Sequence, residues 1–188
     1  MPFSALGISI VAVAIAEIGD KTQLLALVLA ARYRTPWPII AGIFIATLAN
    51  HGLAGWAGAL AAQWISADLA RWLIAGSFLA VALWALVPDK LDADKTKTPR
   101  FGAFLTTLVA FFLVEIGDKT QIATVVLAAQ YPPLWQVVLG TTAGMLLANV
   151  PVVLLGSRFA AKLPLKAARW ASAALFAGLA VWVMLRSG

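Results

Sequence analysis

The chain of 188 residues is 62% hydrophobic and 12% charged, with a mean hydropathy of +0.92; soluble domains carry roughly 45–50% apolar residues, so a water-soluble globule is excluded. Its formal charge of +6 does not mark a nucleic-acid binder, because the basic residues sit between apolar blocks rather than in aromatic-interleaved patches. The absence of cysteine and the single histidine exclude thiolate sites and imidazole clusters, so a metal is expected on oxygen ligands.

Six apolar blocks, each long enough to cross a bilayer core of roughly 30 Å as a helix, follow one another along the chain. The first, residues 3–31, carries Glu17 near its middle and has no basic leader or small-residue cleavage site ahead of it, which predicts a transmembrane helix rather than a signal peptide. Turn signals at Pro36 and Pro38 introduce the second block, 37–65, and the short polar stretch 66–68 separates it from the third, 69–87. Residues 88–100 (PDKLDADKTKTPR) form the only strongly polar stretch and predict a solvated linker. Blocks at 101–130, 134–156 and 165–185 complete an all-α, six-helix membrane protein. Most of the eight tryptophans fall near block ends, as interfacial anchors do.

Connections on one side carry ten basic residues: Arg32 and Arg34, then Lys90, Lys95, Lys97 and Arg100, then Arg158, Lys162, Lys166 and Arg169. The other side has Arg71 and Arg186. The positive-inside rule predicts a cytoplasmic linker and both termini outside.

The two halves repeat at an offset of 98 residues. Glu17-Ile18-Gly19-Asp20-Lys21-Thr22-Gln23 recurs unchanged as Glu115-Ile116-Gly117-Asp118-Lys119-Thr120-Gln121. At the same offset Tyr33 meets Tyr131, Trp37 meets Trp135, Gly42 meets Gly140, Arg71-Trp72 meets Arg169-Trp170, and Phe78 meets Phe176. Each repeat holds three spans, an odd number, so the second is predicted to enter the membrane in the opposite sense to the first. The expected organisation is a first three-helix repeat over 1–87, a cytoplasmic linker over 88–100 and a second, inverted repeat over 101–188. Leu48-Ala49-Asn50 resembles Leu147-Ala148-Asn149 at an offset of 99 instead, which reads equally as a local bulge or as chance.

Glu17 and Glu115 are the only glutamates, and both stand near the middle of predicted spans. A charged side chain at a helix centre costs on the order of 2.5–3.5 kcal/mol on insertion scales, so the acids and lysines of two motifs require partners or water. On a continuous helix Glu17, Asp20 and Lys21 share one face, with Thr22 pointing elsewhere and Gln23 at its flank; Glu115, Asp118, Lys119 and Gln121 repeat this. Gly19 and Gly117 suit close helix approach or local unwinding. If the motifs meet, four carboxylates and two ammonium groups leave a formal charge of −2, which one divalent cation or two protons would neutralise. Oxygen donors suit Ca²⁺ or Mn²⁺, and carboxylates removed from water take up protons when the ion leaves. Exchange of one divalent cation for about two protons is therefore expected. Pairing of Glu17 with Lys21 and of Glu115 with Lys119 at i,i+4 is the purely structural alternative. The lysines are expected to orient and neutralise carboxylates. Asn50 and Asn149 suit either ligand oxygens or interhelical hydrogen bonds. His51 is expected to be a hydrogen-bonded helix residue.

The duplicated E-x-G-D-K-[ST] motif resembles that of the calcium/manganese cation-proton exchanger family, formerly uncharacterised protein family 0016. That family includes the MneA-type bacterial manganese exporters and the Golgi manganese and calcium transporters. The resemblance spans essentially the whole chain and implies six or seven spans and cation/H⁺ antiport of Mn²⁺, Ca²⁺ or both, without a permanently bound cofactor. It implies Glu17, Asp20, Glu115 and Asp118 as ion ligands, with Lys21, Thr22, Gln23, Lys119, Thr120 and Gln121 as supporting polar groups. The compact length points to a prokaryotic plasma membrane. Monomer and homodimer both fit. Two rival readings are an exporter of a small cationic solute such as lysine and an intramembrane aspartyl hydrolase built on Asp20 and Asp118.

Overall fold

A computed structural model describes residues 5–87, 102–156 and 164–185. The linker 88–100 and the basic residues Arg158, Lys162 and Arg186 lie outside the described residues. Regular structure among the described residues is entirely α-helical: α1 (Ala5–Glu17), α2 (Lys21–Tyr33), α3 (Pro36–Ala61), α4 (Ala67–Ala85), α5 (Ala103–Glu115), α6 (Lys119–Gln130), α7 (Leu134–Leu155) and α8 (Leu165–Leu185). Four of these, α3, α4, α7 and α8, are long and apolar enough to cross a membrane.

The blocks 3–31 and 101–130 are not single helices, which corrects the sequence reading. Each is a pair of short helices, of 13 and 13 residues in the first and 13 and 12 in the second. At 1.5 Å per residue each short helix rises roughly 18–20 Å, less than a bilayer core. The break falls inside the repeated motif in both blocks. Gly19 and Gly117 adopt φ of 82° and 77°, left-handed values that glycine takes without the clash a Cβ would cause, and a right-handed helix cannot continue through them. Arg71, Lys166 and Arg169, assigned to connections from the sequence, stand inside α4 and α8.

The interior holds polar residues beside its apolar clusters, and many large apolar side chains face outward. Glu17, Asp20, Glu115, Asp118, Asn50 and His51 are all buried, whereas Leu53, Leu83, Leu147 and Leu185 are exposed. Six tryptophans, Trp37, Trp56, Trp64, Trp72, Trp135 and Trp170, also face outward. An apolar exterior of this extent would drive association in water and is the expected surface of a helical integral membrane protein.

Helices 98 residues apart in sequence pack in matching pairs: α1 lies on α7 as α5 lies on α3. Both contacts depend on a small residue at the same repeat position. A Cβ at Gly140 would stand 2.7 Å from the Leu6 carbonyl oxygen, and one at Gly42 would stand 2.8 Å from that of Phe104. Helix α4 packs against α8, where the rings of Phe78 and Phe176 stack at 6.1 Å. Close backbone approach drives association where lipid is as apolar as the helix faces. Gly140→Val is accordingly expected to push α1 off α7 and to cost about 1–3 kcal/mol, the range for overpacking. A lowered thermal midpoint of the purified protein in detergent would register it, and an unchanged midpoint would show that the contact is not needed.

Candidate cation site

The site grows out of the two breaks. Helix α1 ends at Glu17, whose carbonyl accepts the Asp20 N–H at 3.0 Å, and Glu115 does the same for Asp118 at 3.1 Å. Asp20 then caps α2 in an extended conformation, its Oδ1 accepting the Lys21 N–H at 2.7 Å. Asp118 occupies the equivalent cap position of α6. Glutamine closes each turn: the Gly19 N–H donates to Gln23 Oε1 at 2.8 Å, and the Gly117 N–H to Gln121 Oε1 at 2.7 Å. Helix α1 therefore brings its negative pole to Glu17 while α2 brings its positive pole to Asp20. A glutamate at a helix C-terminus is poorly placed electrostatically, and a bound cation offsets both the carboxylate and the free carbonyls.

The two breaks face one another. Glu17, Glu115 and Asp118 each place a carboxylate oxygen such that all three atoms lie within 4.8 Å of one another, and each side chain is 0% exposed. Asp20 stands outside this trio. Its Oδ1 pairs with Lys119 Nζ at 3.2 Å, and Lys21 Nζ pairs with Asp118 Oδ1 at 3.0 Å. Each lysine thus pairs with the aspartate of the other motif, an arrangement that the i,i+4 alternative does not provide. Thr22 does not point elsewhere: its Oγ1 donates to Glu17 Oε2, and Thr120 Oγ1 donates to Glu115 Oε2 at 3.1 Å. The restart of the helix after Gly19 cancels the angular bookkeeping of a continuous helix. Glu17 Oε1, Glu115 Oε1 and Asp118 Oδ2 have no hydrogen-bond donor among the described residues. Buried carboxylate oxygens without donors are costly, and each residue of the trio carries one.

The remaining polar groups divide. Asn50 Oδ1 accepts from Gln121 Nε2 at 2.6 Å and its Nδ2 donates to the Phe112 carbonyl at 3.3 Å, so its amide is spent on interhelical hydrogen bonds. Gln23 Nε2 donates to the Ala148 carbonyl at 2.8 Å. The two glutamines therefore reach positions 50 and 148, which are 98 residues apart, one meeting a side-chain oxygen and the other a main-chain carbonyl. By that offset His51 and Asn149 are counterparts. Asn149 Nδ2 donates to the Met145 carbonyl at 3.0 Å, while its Oδ1 has no donor among the described residues. His51 corrects the expectation of a hydrogen-bonded histidine: it is buried, neither ring nitrogen has a hydrogen-bond partner among the described residues, and Nε2 stands 3.8 Å from Glu115 Oε2.

The two motifs differ in what covers them. A Cβ at Gly19 would lie 2.7 Å from Leu165 Cδ2, at the start of α8, whereas one at Gly117 would meet no atom of the described residues within 4 Å. Ile116 is 52% exposed.

A helical bundle with an apolar exterior that gathers buried carboxylates where two broken helices meet is built as a membrane transporter for cations. The family model described as "Divalent cation/proton antiporter GDT1" matches residues 5–93 and 103–188, and the chain belongs to that family. It is a transporter and not an enzyme, which removes the hydrolase reading. A protein of Vibrio cholerae named "Putative manganese exporter" is 58% identical over 174 residues, covering 92% of this chain and 86% of that protein. GDT1-like protein sll0615 of Synechocystis is 29% identical over 171 residues, 79% of this chain and 81% of that protein. GDT1-like protein 3 of Arabidopsis thaliana is 27% identical over 205 residues, 95% of this chain and 70% of that protein. No solved structure matches the chain significantly.

Proposed function

We propose that this antiporter exports Mn²⁺ from the cytoplasm in exchange for protons, accepts Ca²⁺ at the same site, and binds ion and protons alternately on Glu17, Glu115 and Asp118, with Asp20 completing the charge balance. The observation that carries the reading is the convergence of three carboxylate oxygens within 4.8 Å at the junction of the two broken helices. Oxygen donors of this kind suit hard divalent ions. The similarity to a protein named as a manganese exporter supports Mn²⁺ as the cargo and export as the direction.

In this reading α1–α2 and α5–α6 each cross the membrane as one discontinuous span. With α3, α4, α7 and α8 they make six spans in two inverted three-span repeats, 1–87 and 101–188. Both termini lie outside a bacterial inner membrane and the 88–100 linker lies in the cytoplasm, a placement that the distribution of basic residues supports. Matched packing of α1 on α7 and α5 on α3, together with the crossed lysine–aspartate pairs, supports a pseudo-two-fold relation between the halves. Lys21 and Lys119 orient the carboxylates while Thr22, Thr120, Gln23 and Gln121 hold the breaks in shape.

The test is Mn²⁺ flux into proteoliposomes with an acidic interior, with internal pH recorded at the same time. Mn²⁺ entry accompanied by alkalinisation of the lumen is expected. Mn²⁺ movement without proton movement, or none at all by folded protein, overturns the proposal.

A further inference from the structure

Among the described residues, the buried polar group least explained by packing is His51. Leaving a buried donor or acceptor unsatisfied costs about 1–3 kcal/mol, and such a group in a native fold calls for a role or an absent partner. His51 leaves both ring nitrogens in that condition, at 0% exposure. Its Nε2 stands 3.8 Å from Oε2 of Glu115, one member of the carboxylate trio. That spacing is too long for a hydrogen bond. It is the spacing of two donors on one ion: at metal–ligand distances of about 2.3–2.6 Å, neighbouring and opposite ligands are separated by roughly 3–5 Å.

We propose that His51 contributes Nε2 to the coordination of the transported ion, giving an otherwise all-oxygen site one nitrogen and making it favour Mn²⁺ over Ca²⁺. The inference rests on the cation-antiport reading of the same cluster and adds a ligand and a selectivity to it. Ca²⁺ takes oxygen ligands, whereas first-row transition ions bind imidazole as well as carboxylate. An imidazole therefore adds more to the affinity for Mn²⁺ than to that for Ca²⁺. Asn149 occupies the equivalent place in the second repeat and can offer only an amide oxygen, so the selectivity resides in one repeat.

Because His51 is the only histidine of the chain, ¹⁵N-histidine labels this residue alone, provided that the protein is purified without a polyhistidine tag. Pulsed electron paramagnetic resonance of bound Mn²⁺ is expected to show hyperfine coupling to the ¹⁵N label in the unsubstituted protein. His51→Gln, which offers an oxygen in place of the nitrogen, is expected to abolish that coupling and to shift Mn²⁺/Ca²⁺ preference in competition flux assays toward Ca²⁺ by about tenfold or more. Mn²⁺ bound without ¹⁵N coupling overturns the assignment of His51 while leaving the antiporter reading intact. Unchanged preference in a folded His51→Gln protein overturns the selectivity role. Absence of any Mn²⁺ binding or flux in the unsubstituted protein overturns both readings at once.

Discussion

Replacing Glu17 or Glu115 by glutamine is expected to abolish coupled Mn²⁺ and proton movement while the helical fold survives. Glutamine keeps the size of the side chain and an oxygen that can still accept from Thr22 or Thr120, so the local hydrogen bonds of each break are retained. What disappears is the negative charge inside the trio and the group that would carry a proton. Loss of an outer-shell partner of a metal costs about 10–100-fold, and a carboxylate within the cluster should cost at least the upper figure in flux. The measurement is the initial rate in proteoliposomes at matched protein incorporation, with circular dichroism to verify folding. Exchange at the normal rate in both variants would remove these glutamates from the transport site. The two substitutions are expected to act alike despite their places in opposite halves, because each glutamate faces the other half.

Removal of the Lys119 ammonium is expected to be among the most destabilising single changes available. Lys119 is 5% exposed and its partner Asp20 is 0% exposed, so Lys119→Met takes an ammonium away from a buried carboxylate. Breaking a buried pair from one side costs about 3–5 kcal/mol, whereas replacing both partners is often close to neutral. The double variant Lys119→Met, Asp20→Asn should therefore recover much of the stability lost by the single one. It should not recover transport, since the charge balance of the cluster is still altered. Thermal midpoints in detergent for the four members of the cycle decide the point. An additive double variant would mean that the crossed pair is incidental to the fold.

The sequence carries this fold unevenly. The repeat and the glutamate pair could be read directly from the identical seven-residue segments within two apolar blocks, and the meeting of the two motifs entered as a condition that their burial cost made reasonable. The breaks at Gly19 and Gly117 could not be read from hydropathy: an apolar block looks the same to that measure whether its helix is continuous or interrupted for three residues. A different signal was present in the letters. Gly-Asp followed by a helical run is a helix stop joined to an N-cap, and treating Ile-Gly-Asp-Lys in that way separates Glu17 from Asp20. Everything inferred from a continuous helix wheel then changes, including the direction of Thr22 and the partner of Lys21. The crossed pairing of Lys21 with Asp118 and Lys119 with Asp20 depends on how two distant segments approach, which local pattern does not encode. His51 escaped because a lone histidine on an apolar helix is ordinarily a satisfied one. Its place beside Glu115 comes from the packing of α3 against α5.

Leu165 seated on Gly19, with no counterpart over Gly117 among the described residues, bears on how two identical heptapeptides divide their labour. Their local chemistry is the same, so neither has an intrinsic claim to be the covered one. The difference is imposed from outside, by which long helix has its first turn lowered onto which break. Such a choice between equivalent partners resembles a seesaw whose seats are identical and whose tilt is decided only by where the weight rests.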